Sequence, residues 1–183
     1  MKKNINQILD IPHNIKIYFL SMLIILSFLL RLVTVYFIRD THFDNEWNIL
    51  LNNLINYKSY SFYTFDAQLI PSVYLPPIYP FFLYLVKLVT SLEGKSLINS
   101  IIFIQIILST YSIYLFFQIN QNFFSRKMSL ISSTIFSIIP LNLYACGQIS
   151  SINFQIVFAL LFLKFFLLVI KKQEIKNLVA LSI

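Results

Sequence analysis

Five of the seven acidic residues, Asp40, Asp44, Glu46, Asp66 and Glu93, fall between Arg39 and Ser96. A carboxylate can take a proton from a substrate or face the positive end of a helix. Asp44 and Glu46 are two residues apart, so on a helix they point in different directions. The bland role for Asp44 is a helix-start carboxylate, and for Glu46 a solvated side chain. Other reactive types are sparse. His13 and His42 lie far apart and form no ligand pair. A single cysteine, Cys146, excludes an internal disulfide and a cysteine-built metal site. With two glycines there is no phosphate-cradling loop and no nucleotide fingerprint. No cofactor and no metal ligand set is read from these residues. The net charge is +7, but the 14 Lys and Arg are scattered and make no basic face for nucleic acid.

The elements that carry these acids are membrane elements. The chain is 58% hydrophobic and 11% charged, too few charges to cover a water-facing surface. A span takes about 20 mostly apolar residues. Stretches of that kind run over 17–38, 97–118, 129–146 with Pro140 inside, and 153–170. The first is too long for a signal peptide, and no small-residue cleavage site follows it. A further apolar stretch opens at Asn177 and reaches Ile183, so the 183 residues read as one membrane domain, the N-terminal part of a longer chain.

The stretch 73–90 is ambiguous. Pro76, Pro77 and Pro80 precede an apolar run, Phe81 to Thr90, that is well under span length. Charge arbitrates, because Lys and Arg in short loops favour the cytoplasm. If this stretch does not cross, the cytoplasm holds Lys2, Lys3, Lys16, Arg126, Lys127, Lys171, Lys172 and Lys176. The outside then holds Arg39, Lys58, Lys87 and Lys95. If it crosses, the outside takes seven basic residues and the cytoplasm five. The non-crossing reading obeys the rule. It places the N-terminus in the cytoplasm and makes 39–96 one long external loop.

Within that loop, Trp47, Leu50, Leu51 and Leu54 share one helical face, with Asn45, Asn48, Asn52 and Asn56 opposite. This predicts an amphipathic helix flat on the bilayer with Trp47 at headgroup level. Residues 59–72, rich in Tyr, Phe and Ser, read as an interfacial loop, and a second interfacial helix follows the Pro pair. The expected fold class is all-α: a polytopic transmembrane helical protein with two interfacial juxtamembrane helices in the first external loop.

The order of these features resembles a known family. FDNEW at Phe43 to Trp47 follows the first span, then NLINYKSYSF at Asn53 to Phe62, then YLPPIYPFFLYL at Tyr74 to Leu85. This is similar to the N-terminal part of the C-type membrane glycosyltransferases. That superfamily includes protein O-mannosyltransferases, aminoarabinose transferases acting on lipid A, and bacterial dolichyl-phosphate-mannose-type enzymes. The resemblance covers about residues 17–170. It implies transfer of a sugar from a polyprenyl-phosphate donor to a lipid, glycan or protein acceptor on the extracytoplasmic face. With the Ile-, Asn-, Phe- and Lys-rich composition, it implies a bacterial inner (plasma) membrane protein.

The resemblance makes Asp44 the general base on the acceptor hydroxyl, with Glu46 as runner-up. The departing phosphate needs positive charge, for which Arg39, Lys58 and Lys95 are the candidates. Asp40 and Asp66 are then ordinary loop acids. Relatives often carry Leu-Arg-Leu where Leu30 to Leu32 stand, and Arg31, roughly 10 Å inside its span at 1.5 Å per residue, is read as structural and partly snorkelling. Two positions depart from the family pattern. Leu75 stands where many relatives place a basic residue or His before the Pro pair. Asn153 stands where they tend to carry an acid, and an amide neither acts as a base nor holds a divalent ion as a carboxylate does. Two other readings fit parts of the pattern: a non-catalytic remnant of the same lineage, and a small transporter or flippase component. The second is disfavoured because its ionisable groups would sit at mid-membrane.

Overall fold

The computed structural model describes residues 13–65, 68–72 and 74–172. The apolar stretch 177–183 and Asp66 lie outside the described residues. In chain order the elements are α1 (His13–Ile38), α2 (Glu46–Tyr57), β1 (Ser61–Phe65), β2 (Gln68–Pro71), α3 (Ile78–Thr90), α4 (Gly94–Asn120), α5 (Arg126–Ser137), α6 (Pro140–Gly147) and α7 (Ile152–Lys172). The protein is an all-α polytopic membrane protein with one small hairpin in its first loop.

Among the described residues three helices are long and apolar enough to cross a membrane: Tyr18–Ile38 within α1, Gly94–Asn120, and Ile152–Ile170 within α7. The fourth crossing is broken. α5 and α6 are bent by 51° instead of forming one helix over 129–146. Pro140 has no N–H to donate, so the helix cannot continue through it, and it restarts with Pro140 in its first turn. The carbonyls freed at the break find other donors. Asn142 Nδ2 donates to Phe136 O and Arg31 Nη1 donates to Ser137 O, each at 3.4 Å.

Hydrogen bonds fix the direction of each helix. Arg39 Nη1, just past α1, donates to Asn99 Oδ1 near the start of α4 at 2.8 Å. α4 therefore begins where α1 ends, and residues 39–93 return to the side they left. At the far end, Asn120 Nδ2 of α4 donates to Ser132 Oγ of α5 at 3.2 Å. α6 then finishes back beside the end of α1, where the Asp40 N–H donates to Gly147 O at 2.7 Å. The broken pair thus runs the length of the bundle as one crossing.

Arg31 differs from its expected snorkelling place. It is fully buried, with Nε donating to Ser109 Oγ at 2.8 Å and Nη1 also donating to Ser27 O at 3.1 Å. The guanidinium turns into the bundle because Ser109 Oγ and the carbonyls of Ser27 and Ser137 accept from its Nε and Nη1, whereas lipid offers no acceptor.

The face of α2 expected on lipid is also turned inward. Trp47, Leu50, Leu51 and Leu54 are buried, and the first three share a core with Tyr79, Leu83 and Val86 of α3 and Ile98 and Ile101 of α4. The Trp47 and Tyr79 rings meet edge to face at 5.0 Å, and Tyr79 meets Phe154 of α7 at 5.4 Å. A one-sided apolar stripe needs an apolar partner, and here that partner is protein. α3 starts at Ile78, three residues before the expected Phe81. Pro80 sits in its first turn, where no helical N–H is required. At 13 residues α3 is roughly 20 Å long, too short to span. Its outward residues Ile78, Phe81, Leu85, Leu88 and Val89 are exposed.

The segment read as a loop contains the hairpin. β1 and β2 pair antiparallel, Tyr63 opposite Ile70 and Phe65 opposite Gln68, with an irregularity between Ser61 and Tyr63. Asn53 Nδ2 of α2 donates to Ser61 O at 2.8 Å, and Tyr60 Oη donates to Leu75 O at 2.6 Å. These bonds tie the hairpin between the two loop helices.

Candidate functional site

The loop after α1 carries the candidate base. Asn45 caps α2 by accepting the Trp47 N–H on Oδ1 at 3.2 Å, so Asp44 stands one residue outside the helix. Asp44 is exposed and lines a cleft of about 470 Å³. Its walls are Thr41 to Asp44, Asn48 and Asn52 of α2, Lys87 of α3, and Glu93 and Lys95 at the start of α4. A second cavity of about 110 Å³ adjoins it, sharing Thr41, Lys95 and Ile98 and adding Arg39, Asp40 and Asn99. A third, a groove of about 240 Å³ between α1 and α4, shares Arg39 and Asn99 and continues along Val35, Tyr36, Ile102 and Phe103 to Leu32 and Ile106. The three cavities therefore share walls in series: an apolar groove along two spanning helices, a small cavity lined by Arg39, Asp40 and Lys95, and the cleft lined by Asp44.

The structure brings Asp44, Arg39 and Lys95 to that path and leaves two other candidates beside it. Glu46 lies in the first turn of α2, exposed and outside the cleft walls. Lys58 sits at the opposite end of α2, where Nζ lies 3.4 Å from Tyr84 Oη and 5.7 Å from the centre of its ring. Asp40 does structural work, since its Oδ2 accepts the Ile149 N–H at 2.8 Å.

Sequence reasoning did not single out Lys87 or the corner it holds. Lys87 Nζ donates to Glu93 Oε1 at 2.7 Å and to Leu92 O at 3.0 Å. The hydrogen bond and charge of Lys87 hold the Glu93 carboxyl below its ordinary range. A helix-end lysine six residues before an acid that opens the next helix was the available signal. Burial, with the charge of Asp40 adding to it, pushes the Tyr79 phenol up. Tyr79 therefore stays protonated against Gln105 Oε1, 3.5 Å away.

The two departures from the family pattern have structural occupants. Asn153 is buried and donates from Nδ2 to Ala145 O at 2.8 Å, closing the end of α6. A carboxylate could not make that bond. Leu75 is half-buried against the core that holds the loop helices.

The dolichyl-phosphate-mannose-protein mannosyltransferase family matches residues 76–183, more than half of the chain. The chain belongs to this family, and at that level it is a membrane glycosyltransferase of the mannosyltransferase type. The match begins at Pro76, the first of the Pro pair, so α3 to α7 carry it and the Asp44 segment precedes it. No curated protein and no solved structure matches the chain.

Proposed function

We propose that the protein moves a sugar from a polyprenyl-phosphate-linked donor to an acceptor on the extracytoplasmic face, with Asp44 as general base. The arrangement of three cavities that share walls in series carries this reading. The donor has a hydrocarbon tail, an anionic phosphate and a polar sugar in series. The groove, the Arg39 and Lys95 pair, and the cleft offer matching surroundings in the same order. Arg39 uses one of its five donors on Asn99, which leaves others for phosphate oxygens.

In the reaction, Asp44 takes the proton of the acceptor hydroxyl as its oxygen bonds to the anomeric carbon. The bond from that carbon to the phosphate oxygen breaks, and the polyprenyl phosphate leaves as an anion beside Arg39 and Lys95. A positioned base of this kind is worth about 10²–10⁴-fold in rate.

The test is extraction of cells with and without the gene, followed by mass spectrometry of lipid-linked sugars and surface glycans. Loss of the gene should leave the donor to accumulate and remove a hexose-sized mass from an acceptor. Identical profiles would overturn the assignment.

A further inference from the structure

Asp40 and Asn45 bracket Asp44, and both reach the same distant residue. The Ile149 N–H donates to Asp40 Oδ2 at 2.8 Å, and the Ile149 carbonyl accepts from Asn45 Nδ2 at 3.0 Å. One residue of the α6–α7 turn thus holds both ends of the segment 40–45. The Asp40 N–H adds a third tie, to Gly147 O at 2.7 Å. The turn is itself secured. Gln148 Nε2 donates to Ile38 O at 3.1 Å, and the Gln148 carbonyl accepts from Gln105 Nε2 at 3.0 Å. Ile149 and Gln105 are buried, so the fixed point lies inside the fold.

Asn45 is chemically specific to its place. Its Oδ1 caps α2 while its Nδ2 reaches Ile149. An aspartate would keep the cap but set a carboxylate against the Ile149 carbonyl.

We infer that Asp40 and Asn45 are positioning residues that hold Asp44 at the cleft by strapping residues 40–45 to Ile149, a role that rests on the transferase reading above for its effect on turnover. A base displaced by about 1 Å can lose roughly 10²-fold in rate. The strap itself stands on hydrogen bonds and has a structural readout of its own.

The experiment uses the full chain in lipid nanodiscs. Amide hydrogen exchange is followed over residues 41–46 and 147–151, and turnover of dolichyl phosphate mannose is measured in native membranes. Asp40→Ala should speed exchange in both segments about tenfold or more and lower kcat by roughly 10–100-fold, with the donor KM little changed. Asp40→Asn keeps an amide oxygen to accept the Ile149 N–H, and should restore both readouts to near the parent. Asn45→Asp should leave α2 protected and loosen 147–151. Unchanged exchange in Asp40→Ala overturns the strap. An Asp40→Asn variant that is protected yet as inactive as Asp40→Ala makes the Asp40 carboxylate reactive, and overturns the positioning role. If the parent itself turns over no donor while exchange follows this pattern, the strap stands and the transferase reading falls.

Discussion

Position 147 is tight for any side chain. A Cβ there would come within 3.1 Å of Arg39 Cα and 3.3 Å of Ile38 O, both backbone atoms that cannot swing aside. Gly147→Ala should therefore cost about 1–3 kcal/mol as overpacking, read as a lower melting temperature in detergent. An unchanged melting temperature would show that α1 and α6 yield at this point. Glu93 offers a second test at this scale. Its folded-state pKa is depressed by Lys87, so the stabilisation is complete above the ordinary carboxylate value and is lost as pH falls through the depressed one. Melting temperatures of the parent should fall with acid relative to Glu93→Gln across that window. Parallel curves would contradict the pair. The family resemblance, laid over the residue types, directs attention to Asp44, Arg39 and Lys95. The work of Asp40 was invisible because its partner lies 109 residues away. The structural role expected of Arg31 is legible, but its burial in place of snorkelling is not, its acceptors Ser109 and Ser137 being 78 and 106 residues distant.

Helices α1, α4 and α7 were legible because apolar length alone specifies a span. The break at Pro140 was legible as a proline but not as a bend, since its direction depends on where Arg31 and Asn142 meet the freed carbonyls. The hairpin was missed. Its strands are only five and four residues long, and the aromatic content of SFYTF reads equally well as an interfacial loop. The amphipathic stripe of α2 is legible in the sequence, but the expected lipid partner is replaced by protein, because periodicity gives the stripe and not its partner. Trp47 is the only tryptophan, which makes this point directly measurable. In vesicles containing brominated lipids its fluorescence should be quenched only weakly, because Tyr79 and the core cover it. Strong quenching would place α2 on the bilayer. Trp47→Ala should undock α2 from α3 and lower stability by about 3–5 kcal/mol, as removal of a buried aromatic does.

Across the whole molecule, four crossings among the described residues bring the end of α1, the start of α4 and the α6–α7 turn to one face. The site sits there because three separate parts of the chain converge on residues 39–45. The charge count supports assigning that face to the outside, and the assignment has its own test. A cysteine placed by Lys58→Cys, with Cys146 replaced, should react with an impermeant thiol reagent in intact cells. Reaction only after lysis would invert the orientation. The order of groove, cations and carboxylate is a property of this convergence and of no single helix, which is why composition and periodicity did not reveal it. The most direct measurement of the central claim is turnover of dolichyl phosphate mannose by membranes carrying the parent or Asp44→Asn at matched expression. The account predicts transfer by the parent and a loss of about 10²–10⁴-fold in the variant. Equal turnover by the two proteins would contradict it.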